Sequence, residues 1–171
     1  MHSPSGRAHC PVSLSTMTAD PADRFATPRI AAGVLIRDRS GRLLLVKPTY
    51  KEGWEIPGGY VEQGESPRAA ARREVKEELG VDLAVKQLLV LDWAPHPNEG
   101  DKLLVIFDGG TVDSDWIDGL VRQDGEVATI AWHPVDTLAD LMPDRLARRV
   151  AHAASADPIV YLEHGTPDSA H

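Results

Sequence analysis

Three glutamates near the middle of the chain, Glu74, Glu77 and Glu78, follow an i, i+3, i+4 spacing. On an α-helix that spacing places the three carboxylates on one face, within an arc of about 100°. Like charges so spaced repel by about 0.2–0.5 kcal/mol per pair. Arg73, four residues before Glu77, is the cation placed to offset them. Because carboxylate oxygens are preferred ligands of Mg²⁺, the cluster fits a divalent-metal site or, by spacing alone, a solvated helix face.

Glycines precede the acidic stretch and favour the metal interpretation. Gly58 and Gly59 permit a close approach of the backbone, and Gly64-Glu65 ends the loop directly before a helix start. Residues 59–66 also imitate the phosphate-binding pattern G-x-x-x-x-G-K-[ST]. Glu65 stands where that pattern needs its lysine, and a carboxylate there would repel a phosphate, so we exclude a P-loop. A glycine-rich loop leading into an acidic helix suits a metal–phosphate complex.

Two helices are predicted, and the first carries the glutamates. Ser66-Pro67 is a helix start signal and Leu79-Gly80 is a stop signal, so this helix covers residues 68–79. The stretch between these signals contains good helix formers and neither Gly nor Pro. A second helix is predicted over residues 144–156, directly after Pro143.

Apolar runs predict five strands around these helices. They cover residues 30–36, 43–46, 88–93, 103–107 and 127–132. The first two flank a polar turn that ends at Gly41 and form a hairpin. The near-continuous apolar content of the predicted strands indicates that both faces of the sheet are buried. We therefore expect an α+β fold in which helices cover both faces of a sheet.

The length of 171 residues fits one domain with tails, and the domain is expected over residues 28–163. Residues 1–27 are rich in Ser, Pro, Ala and Thr without a regular apolar period, which predicts a disordered N-terminal tail. Met17, inside that tail, is an alternative start of the protein. Residues 164–171 are expected to be a flexible C-terminal tail.

Charge and cysteine content exclude several classes of function. The net charge of −8, from 26 acidic and 18 basic residues, disfavours a protein that binds nucleic-acid backbones. The single cysteine, Cys10, cannot form an internal disulfide, which favours a cytoplasmic location. No apolar run approaches the roughly 18 residues of a membrane span, so no membrane partner is expected.

The acidic stretch and its lead-in resemble the Nudix box, G-x5-E-x7-R-E-U-x-E-E-x-G-U, where U is aliphatic. All nine fixed positions match over 23 residues: Gly59, Glu65, Arg73, Glu74, Val75, Glu77, Glu78, Gly80 and Val81. The resemblance implies a Nudix-type α/β/α sandwich with a mixed central sheet. It also implies a hydrolase that cleaves the diphosphate linkage of a nucleoside diphosphate joined to another moiety. The implied cofactor is Mg²⁺, for which Mn²⁺ can substitute.

The resemblance also assigns roles to individual residues. The implied metal ligands are the backbone carbonyl of Gly58 and the carboxylates of Glu74, Glu77, Glu78 and, as in some members, Glu126. Glu126 is equally compatible with an ordinary acid in a surface turn. Arg73 is expected to orient the glutamates through ion pairs, and Glu65 to tie the loop to the helix. The general base is expected to be Glu74 or Glu77.

The sequence says less about the substrate. Tyr50 and Lys51, in the loop before the glycines, are candidates to stack on a base and contact a phosphate, or are ordinary loop residues. The expected substrate is a small nucleotide, either a (d)NTP, including damaged ones, or a nucleotide sugar such as ADP-ribose. The alternative is a catalytically silent Nudix module that binds a nucleotide or a protein. Many relatives pair, so a homodimer is left open.

Overall fold

The computed structural model describes residues 24–121, 125–155 and 159–167, which form eight strands and three α-helices. Most of the predicted N-terminal tail therefore lies outside the described residues. The elements in chain order are β1 Arg29–Asp38, β2 Leu43–Pro48, β3 Gly58–Tyr60, α1 Pro67–Leu79, β4 Leu88–Trp93, β5 Lys102–Val112, β6 Val127–His133, α2 Leu138–Leu141, α3 Asp144–Ala154, β7 Val160–Glu163 and β8 Thr166–Pro167. In this part of the chain, no helix has the length and apolar content needed to cross a bilayer.

All eight strands join one mixed sheet in the order β6-β2-β1-β5-β4-β7-β8, and β3 pairs with β1. The β1–β5 and β4–β7 pairs are parallel, whereas the other pairs are antiparallel. β1 turns into β2 through the predicted hairpin, where Arg37 pairs with Leu43. β3 runs beside the first half of β1, with Gly58 opposite Gly33. The glycine pair is thereby fixed in the sheet.

Helices cover both faces of the sheet, as the apolar strands predict. On one face, α1 packs its buried residues against Val34 and Ile36 of β1. On the other face, α3 packs Ala147, Val150 and Ala153 into a cluster that contains Leu35. Successive β1 side chains thus enter opposite cores, as strand geometry requires. The α+β sandwich is confirmed.

Both ends of α1 have the signals that the sequence predicts. The Ser66 hydroxyl accepts a hydrogen bond from the Ala69 N–H at 3.2 Å, and Pro67 begins the helix. Gly80 ends it in the left-handed conformation at φ 73°, where a Cβ would collide with the Val121 carbonyl. The start and the end of the acidic helix are therefore fixed by the chain around it.

The predicted elements match the structure closely, and three short strands were missed. The second helix ends at Ala154, two residues before its predicted end at 156, which lies outside the described residues. β5 extends to Val112, beyond the predicted 107. β3, β7 and β8 have four residues or fewer, too short for a detectable alternation. The β7–β8 pairing continues the sheet past the expected domain end at 163.

Candidate active site

The glycine pair of β3 lies directly against the glutamates of α1. The Gly58 N–H donates to Glu78 Oε2 at 3.1 Å. Gly58 has φ 149°, and a Cβ there would collide with the Ala32 carbonyl. At Gly59 a Cβ would overlap the Glu74 carboxylate. The backbone contact requires glycine at position 58, and the close approach of Gly59 to the Glu74 carboxylate brings the strand and the helix glutamates together.

Arg73 is the centre of the charged cluster. Its Nε and Nη2 donate to the two Glu65 carboxylate oxygens at 3.1 Å each. Its Nη1 donates at 2.9 Å both to Glu74 Oε1 and to Glu77 Oε2. Its Nη2 also donates to the Tyr60 carbonyl at 3.1 Å. The Arg73 guanidinium therefore connects the loop that contains Glu65, helix α1 and strand β3.

The same contacts shift the ionisation of the cluster. The hydrogen bonds with Glu65 raise the pKa of Arg73, and those with Glu74 and Glu77 raise it further, against the opposing effect of burial. In return, the hydrogen bonds from Arg73 lower the pKa of Glu65. Burial raises the pKa of Glu74, and the charges of Glu77 and Glu126 add to the rise, while the Arg73 ion pair opposes it.

Glu126 belongs to the same electrostatic neighbourhood, although it is 52 residues from Glu74 in sequence. Its backbone carbonyl accepts a hydrogen bond from the Thr49 N–H at 2.7 Å, which ties the turn before β6 to the end of β2. Its charge acts on both Glu74 and Tyr50. Glu126 therefore stays a predicted fifth ligand, on a turn that the Thr49 hydrogen bond ties to β2.

Comparison with known proteins identifies the family of the chain. The family model described as the NUDIX domain matches residues 27–154, about three quarters of the chain. The chain belongs to the Nudix family. Its solved Nudix-fold neighbours include the MutT mutator protein of Bacillus halodurans, with a TM-score of 0.62 at 22% identity, covering 78% of this chain and 86% of that chain. At that identity the likeness shows the fold alone.

Two curated relatives illustrate the range of Nudix proteins similar to this chain. The NAD-capped RNA hydrolase NudC of Chromobacterium violaceum is 29% identical over 168 residues, which is 90% of this chain and 59% of that protein. The 8-oxo-dGTP diphosphatase of Proteus vulgaris is 39% identical over 70 residues, which is 39% of this chain and 61% of that protein. The chain spans 36–61% of the length of such relatives.

The side chains of the Nudix box supply hard oxygen donors, which is the chemistry that Mg²⁺ requires. Within the described ranges, no three Asp, Glu, His or Cys side chains form a complete ligand group. Glu74 and Glu77 instead share Arg73, and Glu78 accepts from the Gly58 N–H. The donor types fit a divalent cation.

Tyr50 and Lys51 lie beside the Nudix box on the loop after β2. The Tyr50 side chain is 69% exposed. Burial of its hydroxyl raises the pKa of Tyr50, and the charges of Glu55, Glu126 and Glu78 raise it further, whereas Lys51 opposes them. The Lys51 ammonium pairs with Glu55 Oε1 at 2.5 Å and lies 5.5 Å from the Tyr50 ring centroid. An exposed ring thus stands near the acids, with its neighbouring cation already paired.

Tyr60 is a site residue that the sequence did not reveal. Its carbonyl accepts from Arg73, and its hydroxyl donates to Glu99 Oε2 at 2.9 Å. Because strand side chains alternate, Tyr60 points to the sheet face opposite to that of the Gly59 contact with Glu74. The only available signal was its position directly after the glycine pair, which does not predict a partner 39 residues away.

Proposed function

We propose that this Nudix protein is a Mg²⁺-dependent hydrolase of the cytoplasm, with Mn²⁺ able to substitute. It cleaves the diphosphate linkage of a nucleoside diphosphate joined to another moiety. The observation that carries the proposal is the Arg73 cluster, which holds Glu65, Glu74 and Glu77 together beside Gly58-Gly59. Family membership and the named hydrolases among the relatives support it.

The residues of the site divide the work of the proposed reaction. The bound cation would neutralise the diphosphate and polarise its phosphoryl oxygens. The ligands proposed to hold it are the Gly58 carbonyl and the carboxylates of Glu74, Glu77, Glu78 and Glu126. Arg73 fixes Glu74 and Glu77 in orientation, and one of these two carboxylates accepts the proton of the attacking water.

The substrate proposed is a nucleoside triphosphate, including damaged ones, or a nucleotide sugar such as ADP-ribose. The named relatives act on different compounds, 8-oxo-dGTP and NAD-capped RNA, but both compounds contain a nucleoside phosphoanhydride. Tyr50 is proposed to stack on the base because its ring is exposed beside the acids. Lys51 is proposed to contact a phosphate after leaving Glu55.

A catalytically silent Nudix module is the alternative, and the intact set of box acids speaks against it. A silent module gains nothing from three like charges on one helix face. Phosphate release from a panel of nucleoside diphosphate derivatives, measured with Mg²⁺ and with excess EDTA, distinguishes the two. Release that requires the metal supports the hydrolase. The absence of metal-dependent release from every member of the panel supports the silent module.

Glu78→Gln tests the site with little disturbance of the fold. The glutamine side-chain oxygen can still accept the Gly58 N–H bond, so we expect the same melting temperature. Loss of the charge weakens metal binding, and we expect turnover to fall about a hundredfold or more at ordinary Mg²⁺ concentrations. The matched control is Glu52→Gln, whose side chain is 98% exposed. Equal activity in the two variants would remove Glu78 from the site.

A further inference from the structure

α3 carries an arginine cluster with the spacing of the α1 glutamates. Arg145, Arg148 and Arg149 follow i, i+3 and i+4, on the opposite face of the sheet from α1. Like charges at this spacing repel, so the cluster requires compensation.

Arg149 is compensated within the fold. It is buried, and its Nε donates to Asp92 Oδ2 at 2.5 Å. Asp92 is fully buried and also accepts from the Gly165 N–H at 3.2 Å. Burial lowers the pKa of Arg149, and the charges of Arg145 and Arg148 lower it further. The ion pair with Asp92 opposes this decrease. Arg149 is thus a structural ion pair that joins α3, β4 and the β7–β8 turn.

Arg145 and Arg148 are not compensated in this way. Among the described residues, neither makes an ion pair with a carboxylate, whereas Arg149 does. Arg148 is exposed, and its one hydrogen bond within the described ranges goes to a backbone carbonyl, that of His164, at 3.3 Å. Arg145 is partly exposed. Two guanidinium groups therefore remain available to an anion.

Both arginines line a cavity of about 600 Å³ between α3 and the β4–β5 connection. Lys102 and His96 line its other side, and Lys102 is paired with Glu99. Asp144 is the one carboxylate among the lining residues. The first turn of α3 also faces this space, so the positive end of the helix dipole adds to the cationic field.

We propose that this cavity binds a phosphate group other than the diphosphate that is cleaved. Arginine presents paired N–H donors that match phosphate oxygens, and two such side chains converge here. The cavity is larger than one phosphate and admits the organic group that carries it. Lys102, on its wall, lies 5.4 Å from the ring centroid of Tyr60, the residue after Gly59. Because the Tyr60 side chain lies on the sheet face opposite to the Gly59–Glu74 contact, the cavity is a separate site from the candidate active site.

Phosphate binding can be measured without catalysis. Isothermal titration calorimetry with inorganic phosphate, in excess EDTA and constant ionic strength, should give saturable binding to the wild type. Arg145→Gln/Arg148→Gln should weaken it at least tenfold. The control, Arg24→Gln/Arg39→Gln, removes the same charge from outside α3 and should bind as the wild type does. No saturable binding in the wild type, or equal weakening in both double variants, overturns the proposal.

Hydrolysis rates distinguish whether the phosphate group belongs to the substrate or to a separate ligand. This experiment alone rests on the proposed function. NADH and NADPH share a diphosphate linkage and differ in one phosphomonoester. A higher kcat/KM for NADPH that disappears in Arg145→Gln/Arg148→Gln assigns the cavity to the far end of the substrate. Equal kcat/KM values, with calorimetric binding intact, assign it to a separate phosphorylated ligand. If neither compound is cleaved, the calorimetry still decides whether the cavity binds phosphate.

Discussion

Arg72 and Arg73 are neighbours on α1 with different partners. Arg72 makes a bidentate ion pair with Asp82 at 2.6 and 2.7 Å, and both side chains are largely exposed. Such surface pairs contribute little to stability. Arg73 is only 26% exposed and contacts three carboxylates and a carbonyl. The adjacent arginines therefore form a matched pair for testing the cluster.

We predict that Arg73→Gln lowers kcat/KM about a hundredfold, because Glu74 and Glu77 lose the group that orients them. Its melting temperature should also fall, since the acids of the cluster lose their shared cation. Arg72→Gln should leave both quantities near the wild-type values. Steady-state kinetics and thermal melts of the two variants provide the check. Equal losses in both variants would show that the effect is not specific to Arg73 and its three carboxylates.

Gly59→Ala tests how closely β3 packs against Glu74. Gly59 is not in the left-handed region, so alanine introduces no backbone strain there. The added methyl group would overlap the Glu74 carboxylate and displace it. We predict about a hundredfold lower kcat/KM with a small change in melting temperature.

The control for this substitution is Gly119→Ala. Gly119 also lies outside the left-handed region, and a Cβ there meets no atom of the described residues within 4 Å. Its kinetics should match the wild type. Retention of full activity in Gly59→Ala would mean that the position of the Glu74 side chain is unimportant for turnover.

Short-range contacts were more predictable than long-range ones. The motif places Arg73 beside Glu65, Glu74 and Glu77, all within eight residues, and the structure has these contacts. The buried Arg149–Asp92 pair joins residues 57 positions apart. Sequence pattern alone could not reveal it, because each residue looks like an ordinary surface charge until the sheet order is known.

The same distinction holds for secondary structure. β1, β2, β4 and β6 have long apolar runs, and their bounds agree with the prediction to within two residues. The sequence pattern did not predict β3, because two of its three residues are glycines, which carry no apolar pattern. Its place beside β1 depends on the fit between Gly58 and the Ala32 carbonyl. That strand nevertheless positions the candidate active site, so the least predictable element matters most for function.

The β1–β2 turn is stabilised by a buried acid, Asp38, which is 1% exposed. Asp38 Oδ1 accepts from the Ser40 N–H, the Ser40 hydroxyl and the Arg42 N–H at 2.8–2.9 Å. Burial alone would raise the pKa of Asp38, but the bonds from Ser40, Arg42 and Ser114 outweigh it and lower the pKa well below its ordinary value. The ionised acid therefore holds the hairpin in place.

We predict that Asp38→Asn destabilises the protein by about 1–3 kcal/mol at neutral pH. A lowered folded-state pKa stabilises the fold above the unfolded value of about 3.9, and this contribution is lost as the pH falls below it. The difference between wild type and variant should thus be full at pH 6–7 and shrink below about pH 4. Urea unfolding across this pH range measures it. A difference independent of pH would show that the charge of Asp38 does not matter.

Helices that carry oppositely charged clusters of the same spacing lie on the two faces of the sheet, although α1 also carries Arg68, Arg72, Arg73 and Lys76. Glutamates with i, i+3, i+4 spacing lie on α1, and arginines with the same spacing lie on α3. Under the proposed function, the acidic face needs a cation before an anionic substrate can approach, because the net charge of −8 repels phosphates. The basic face attracts phosphate without a metal.

This division predicts that Mg²⁺ stabilises the folded protein through the α1 face. At a Mg²⁺ concentration of 100 times Kd, binding to the folded state adds about 2.7 kcal/mol. For a chain of this size that corresponds to a rise in melting temperature of about 5–10 °C. Cation binding relieves the repulsion among Glu74, Glu77 and Glu78, so Glu78→Gln should lose most of the rise, whereas Arg145→Gln/Arg148→Gln should keep it.

General screening of the negative charge would also raise the melting temperature, and it must be separated from binding. NaCl at the same ionic strength reproduces screening but not coordination by carboxylates. Site binding requires that Mg²⁺ exceed NaCl in the wild type and that the excess disappear in Glu78→Gln. If the two salts act equally, or if Glu78→Gln responds as fully as the wild type, the acidic face of α1 is only a solvated surface. The phosphate cavity on α3 would remain as a separate site.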